Sequence, residues 1–151
     1  MRVTEIMSRN VTTIDAAETC HAAVQRMLQR RIRHLPVVDA GGRLCGIVTD
    51  RDLRHHLFSA KVFPDIGEVS VDSLLRAVRV EEVMSAPVVT VGPEDELEAA
   101  ARVMREDKVG SLPVVEGGRV IGIVTETDLL RRICHCDPGS AECQAIVVSF
   151  P

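Results

Sequence analysis

The chain has 151 residues, 46% of them hydrophobic, and a formal net charge of −4. That balance supplies no basic footprint for duplex nucleic acid, and with no Trp or Tyr and only three Phe it lacks the aromatic platforms of single-strand binders. No apolar run approaches membrane-spanning length and Met1-Arg2-Val3-Thr4-Glu5 does not open a signal peptide, so neither nucleic acid nor membrane is expected as a partner.

The first predicted element is a short turn of helix over Val3 to Ser8, with the pattern Val-x-Glu-Ile-Met-Ser. Val11 to Ile14 is β-rich and reads as a short strand. Asp15 with Glu18 three residues on forms a capping pair for a helix whose apolar residues, Cys20, Val24, Met27 and Leu28, recur at helical spacing. Leu35 to Val38 and Leu44 to Val48 flank Ala40-Gly41-Gly42 as a β-hairpin without polar alternation, so the sheet is expected to be buried on both faces. A helix starting near Thr49 carries Leu53 and Leu57. A connector then runs from Phe58 to Arg79, turn-like at Phe63-Pro64-Asp65-Ile66-Gly67 and helical over Val71 to Val78, too apolar for a free tether.

After the connector the same elements return. Val80 to Ser85 repeats the opening turn, Val88 to Val91 the strand, and Gly92-Pro93 sets proline at the first helical position before Leu97, Ala100, Ala101 and Met104. Leu112 to Val115 and Val120 to Val124 flank Gly117-Gly118, a pair suited to a tight hairpin, and the last helix, near Thr125, carries Leu129, Leu130 and Ile133. The offset is 77 from Met7/Met84 through Val38/Val115 and 76 from Gly41/Gly117 onward, because the first copy holds the extra turn residue Ala40. Internal repetition of this kind outweighs any local propensity as evidence of architecture. Each copy spans roughly 55 to 60 residues, where a lone core is marginal, so the two are expected to bury against each other and to bind between them. The chain divides as 1–57, a connector 58–79, 80–133 and a tail 134–151.

The β-α-β-β-α unit, the Leu-Pro-Val-Val-(Asp/Glu) strand and the Gly-Ile-Val-Thr-x-x-Asp-Leu junction resemble a CBS (cystathionine β-synthase) domain, and the two copies resemble a tandem CBS pair. The match covers about Val3 to Leu57 and Val80 to Ile133. The resemblance implies an α/β (α+β) fold of two repeats packed with pseudo-two-fold symmetry, leaving two clefts. In many members such clefts bind AMP, ADP, ATP or S-adenosylmethionine, while others serve only for oligomerisation. It also implies a homodimer, arranged as a flat disk of four CBS units.

Thr49 with Asp52, and Thr125 with Asp128, place a hydroxyl at a strand end and a carboxylate in the next helical turn, where free N–H groups and the helix dipole favour phosphate. The carboxylate can accept two hydrogen bonds from vicinal ribose hydroxyls, the role that the CBS resemblance implies for it. The same spacing is close to an ordinary capping box, worth about 0.5–2 kcal/mol with no ligand. Arg33, His34 and Arg51 are candidates for neutralising phosphates, although Arg30, Arg31 and Arg33 also suit a helix C-terminus. The second copy has Gly110-Ser111 and Thr127 at those three positions, so the clefts are unequal. Adenine is expected against Thr12 to Ile14 with Leu35-Pro36, or Val89 to Val91 with Leu112-Pro113. The candidate nucleotide-binding residues are thus Thr13, Arg33, His34, Pro36, Thr49, Arg51 and Asp52 in the first copy, and Thr90, Ser111, Pro113, Thr125 and Asp128 in the second.

Five cysteines without a secretory signal do not form a disulfide framework, and a cytoplasmic location is expected. Cys20 and Cys45 align with Leu97 and Ile121 and read as core residues. Cys134-His135-Cys136 and Cys143 offer soft ligands, but their spacing fits no common zinc pattern, so no metal is assigned and a metal or redox sensor is the third reading. There is no nucleophile beside a base, no metal triad and no glycine-rich phosphate loop. The expectation is a non-catalytic regulatory module with no obligatory cofactor, binding an adenosine compound and signalling to a separate, unknown target protein. The alternative is a ligand-free dimerisation module.

Overall fold

The computed structural model describes residues 1–57 and 71–134. Its elements are β1 (Ile14–Asp15), α1 (Cys20–Arg30), β2 (His34–Val38), β3 (Leu44–Thr49), α2 (Asp50–Leu57), α3 (Val71–Ala77), α4 (Leu97–Asp107), β4 (Ser111–Glu116), β5 (Arg119–Thr125) and α5 (Glu126–Cys134). The expected repeat is therefore present, α/β throughout. Both hairpins form where the paired glycines allow, with Gly42, Gly117 and Gly118 all at positive φ. β2 pairs antiparallel with β3 and parallel with β1, giving a three-stranded sheet in the order β1-β2-β3. β4 pairs antiparallel with β5, and only Val91 bridges it in the position of β1. The strands expected over Val11–Ile14 and Val88–Val91 are thus much shorter than their β-rich sequences suggest.

Helix starts also differ from expectation. Asp15 and Glu18 close a turn ahead of α1: the Asp15 N–H donates to Glu18 Oε2 at 3.0 Å and the Ala17 N–H to Asp15 Oδ1 at 2.8 Å. The helix is capped by Thr19, whose hydroxyl accepts from the Ala22 N–H at 3.2 Å. Pro93 likewise sits in a turn, closed by the Gly92 N–H on Asp95 Oδ2 at 2.7 Å, and α4 starts at Leu97. The reason is that carbonyls in these two turns are taken by other chain segments. Val3 and Thr4 N–H groups donate to Asp95 and Pro93 oxygens at 2.9 and 3.0 Å, and Val80 and Glu81 do the same to Glu18 and Ala16 at 2.9 and 3.0 Å.

Those bonds cross between the copies. The opening turn of copy 1 serves copy 2, and that of copy 2 serves copy 1. Val3 and Met7 belong to one core with Val91, Leu97, Ala100, Met104, Leu112, Val114 and Val124. Val80, with Val83 and Met84 against it, completes the other, with Ile14, Cys20, Ala23, Met27, Leu35, Val37, Val48 and Leu53. Ser8 then pairs with Ile123 on the edge of β5, and Ser85 with Ile47 on the edge of β3, each through two backbone hydrogen bonds of 2.8–3.1 Å. A Cβ on Gly122 would overlap the Met7 side chain, and one on Gly46 the Met84 side chain, so both strands need glycine for close approach.

The buried face of α1 is Cys20, Ala23 and Met27; Leu28, expected in the stripe, is 69% exposed. α3 lies within the helical stretch expected over Val71–Val78 and leans on α1, where Asp72 Oδ1 meets His21 Nδ1 at 3.2 Å. The expected turn at Phe63–Gly67 lies outside the described residues. Because each copy supplies part of the other's core, the two cannot melt separately. Met7→Ala or Met84→Ala is expected to cost about 2–5 kcal/mol while urea unfolding stays a single transition by both circular dichroism and hydrogen exchange. Two separable transitions would contradict the interlock.

Candidate functional site

The two strand-to-helix junctions are built alike. Thr49 donates through its N–H and its hydroxyl to Asp52 Oδ2, both at 2.8 Å, and the Asp52 N–H returns a bond to Thr49 Oγ1 at 3.1 Å. Thr125 and Asp128 repeat this at 2.9, 2.7 and 3.3 Å. The capping box is real in both copies. It engages only Oδ2 of each aspartate: among the described residues Asp52 Oδ1 accepts no hydrogen bond, and Asp128 Oδ1 has only Arg131 at 3.8 Å. Each half-buried carboxylate therefore holds its helix with one oxygen and presents the other.

Each aspartate lines a cleft. The first, about 410 Å³, has Thr49, Arg51 and Asp52 on one wall, Pro87 to Val89 on another, and Lys108 to Ser111 closing the end. The second, about 320 Å³, sets Thr125 and Asp128 against Asn10 to Thr12 and Arg31 to His34. Each cleft is thus made from both copies, because the crossing segments carry Asn10–Thr12 and Pro87–Val89 to the opposite junction. Thr12–Ile14 does run beside the Leu35-Pro36 strand, Ile14 pairing with Val37, but of these residues only Thr12 lines a cleft, and Leu35 and Leu112 are fully buried in the cores.

Of the candidate residues, Arg33, His34, Thr49, Arg51, Asp52 and Ser111 line the first cleft. Arg33, His34, Thr125 and Asp128 line the second. Thr13, Pro36, Thr90 and Pro113 line neither. Pro36 and Pro113 are buried mid-strand opposite Ile47 and Ile123, and the Thr13 carbonyl accepts from Arg26 at 3.2 Å. Four cleft-lining cations are absent from the sequence candidates, Arg54 in the first cleft and Arg131 in the second being two of them. Lys108 lines the first cleft and Arg31 the second, at equivalent left-handed positions ending α4 and α1, with φ of 55° and 53°. Their signal was the hydrophobic stripe stopping short of a non-glycine residue.

The family model of the CBS domain matches residues 3–59 and 80–135. A CBS domain-containing protein of Dictyostelium discoideum is 40% identical over 131 residues, 85% of this chain and 88% of that protein. The chain belongs to the CBS domain family. Among solved structures, the CBS domain pair of protein MJ0100 in complex with 5′-methylthioadenosine and S-adenosyl-L-methionine superposes with a TM-score of 0.75 at 26% identity, over 89% of this chain and 97% of that one. The hexameric CBS-CP12 protein from bloom-forming cyanobacteria gives a TM-score of 0.69 at 30% identity, over 86% and 69%. Other curated relatives are longer. The chain spans only 24% of a homoserine O-acetyltransferase of Methanohalobium evestigatum, at 32% identity over 132 residues, 87% of this chain.

Electrostatics in the CBS pair sets His34 apart from the arginines around it. Burial first, and then the adjacent Arg33 charge, hold the His34 imidazole below its usual 6.5, against the opposing pull of Asp50, Glu126 and Asp52. His34 is therefore the least readily charged of the basic groups at the clefts, and the guanidinium and ammonium groups carry the standing positive charge. Cys20 is buried and its thiol pushed up to about 11 by desolvation, and Cys45 is raised for the same first reason, so neither is a reactive thiolate. Among the described residues no cluster of three metal-ligating side chains forms and no helix is long and apolar enough to cross a membrane. Cys134 ends α5 exposed, while His135, Cys136 and Cys143 lie outside the described residues.

The His34 shift has a definite sign. A histidine harder to protonate when folded contributes stability that is complete above about pH 6.5 and is lost as pH falls through the lower folded value, because the unfolded chain takes the proton first. Urea denaturation between about pH 7.5 and about pH 5.5 should show a smaller loss of stability for His34→Gln than for wild type. Equal losses would mean that His34 titrates as it does unfolded.

Proposed function

We propose that this CBS pair is a regulatory module that senses an adenosine-containing small molecule, such as AMP, ADP, ATP or S-adenosylmethionine, and reports its presence to a separate protein. The observation that carries the reading is the pair of Thr–Asp junctions, whose aspartates line clefts of ligand size and each keep one carboxylate oxygen out of the helix cap. A carboxylate accepts strongly from vicinal hydroxyls, and the helix N-terminus and cations beside it suit phosphate. The bound nucleosides of the MJ0100 pair support the same class of ligand. The module is non-catalytic and works in the cytoplasm, in keeping with the free thiols of Cys20 and Cys45. It acts as a homodimer. Leu130 and Ile133 on α5, 59% and 74% exposed, are available to such a contact.

A second reading, a dimerisation module without ligand, draws on the same junctions, because the capping boxes close with nothing bound. Substitution separates the two. Asparagine caps about as well as aspartate, so Asp52→Asn and Asp128→Asn should leave stability nearly unchanged. If the clefts hold nucleoside, each variant should weaken binding at its own cleft by about 1.5–3 kcal/mol in calorimetric titration. Arg51→Ala should then weaken ATP more than adenosine. A wild type that binds, beside two Asn variants of unchanged affinity, would displace the site. No adenosine compound binding at millimolar concentration would favour the dimerisation reading.

A further inference from the structure

The two clefts share a wall. Arg33, His34, Gly110 and Glu126 line both of them. The wall is thin at Gly110, where an added Cβ would lie 3.4 Å from His34 Nε2 and 3.4 Å from Glu126 Oε2. The copies contribute unequally to it. Where copy 1 has Arg33-His34, copy 2 has Gly110-Ser111, so one guanidinium faces both sides. Asp50 is matched by Arg54 at 3.0 Å, four residues along α2. The corresponding residue after Glu126 is Leu130, and Glu126 forms no ion pair among the described residues. The partition thus carries a single Arg33 cation, a half-buried imidazole and a carboxylate without a counter-ion.

We propose that the clefts bind anionic ligands with negative cooperativity, because both draw on Arg33 in the wall between them. This rests on the nucleotide reading above. A phosphate entering either cleft draws the guanidinium toward itself, engaging part of its five donors and offsetting its single positive charge, so less of both is left for the other cleft. The second phosphate then meets the exposed Glu126 carboxylate with less of the compensating charge, and meets the first phosphate across the thin wall at Gly110, a repulsion that added salt weakens because Arg33 and Glu126 are exposed. An uncharged nucleoside makes neither demand. The consequence is graded sensing: the first cleft fills at low ligand and the second only at much higher concentration, widening the range over which the module responds. Coupling of the usual size makes the second site about 5- to 150-fold weaker.

Calorimetric titration of the full chain with AMP and with adenosine tests this, using wild type, Asp52→Asn, Asp128→Asn and Arg33→Gln. The Asn variants weaken one cleft at a time and so report the other cleft's affinity with its neighbour empty. For AMP, the second wild-type constant should be at least about 5-fold weaker than that reference; for adenosine the two should agree. Arg33→Gln should weaken AMP overall while bringing its second constant close to the reference. AMP filling one cleft where adenosine fills two would be the strong form of the same result. Two AMP sites that match their references would overturn the coupling while leaving nucleotide binding intact. So would a single site for both ligands. Coupling that survives in Arg33→Gln would overturn the role of Arg33. Failure of wild type to bind either compound would instead remove the nucleotide reading beneath it.

Discussion

Two methionine side chains occupy space that only glycine leaves open, and the rest of the molecule is arranged by that fit. With Met7 seated over Gly122 and Met84 over Gly46, the backbones of Ser8 and Ser85 are brought to the bare edges of β5 and β3. Edge pairing satisfies N–H and C=O groups that would otherwise stay unpaired. It also sets a direction, since the chain leaving Ser8 must run past Thr125, and the chain leaving Ser85 past Thr49. The clefts follow from this packing. A methyl group on either glycine would act on the site without touching any residue in it.

At the junctions a stabilising interaction and a recognising one coexist in a single side chain. A cap is worth about 0.5–2 kcal/mol and needs one carboxylate oxygen; ribose recognition needs the other. Because Asp52 Oδ2 is held by the Thr49 N–H and hydroxyl, its second oxygen is oriented before any ligand arrives. Less rotational freedom is then lost on binding, which is the usual gain from preorganisation. The threonine hydroxyl is similarly committed, donating to the aspartate and accepting from its N–H, so its role toward a ligand is secondary to that of the carboxylate.

The repeat, the hairpins, the junctions and their helices were legible in the sequence, because each is written in local spacing: paired glycines, short apolar runs, Thr-x-x-Asp. The exchange was not. Val3, Ile6 and Met7 have the same character as Val80, Val83 and Met84, so nothing in their chemistry says which core receives which segment. Only the register with strands more than a hundred residues away decides it for Met7 and Gly122. The make-up of each cleft traces to this: Thr12 meets Thr125 of the other copy as well as Arg33 and His34, which precede Leu35, while Pro36, expected as lining, sits in a strand covered on both faces. Helix starts failed for a related reason: the turns at Ala16–Glu18 and Pro93–Asp95 are fixed by bonds to distant segments, which outweigh local capping preference.

The reciprocal exchange also changes what a single copy is. Each copy bears both a plug, the Val-x-Glu-x-Met turn, and the slot that receives one, so two separate identical copies would satisfy each other as a symmetric dimer. The tandem chain is the covalent form of that dimer, with the connector holding the two halves at high effective concentration. Covalency releases a constraint that symmetry imposes. In a dimer of identical copies, an arginine on the two-fold axis would necessarily face its own image. Here one side of the axis carries Arg33-His34 and the other Gly110-Ser111. Joining the copies end to end is therefore what permits a single, unmirrored guanidinium in the wall between the clefts.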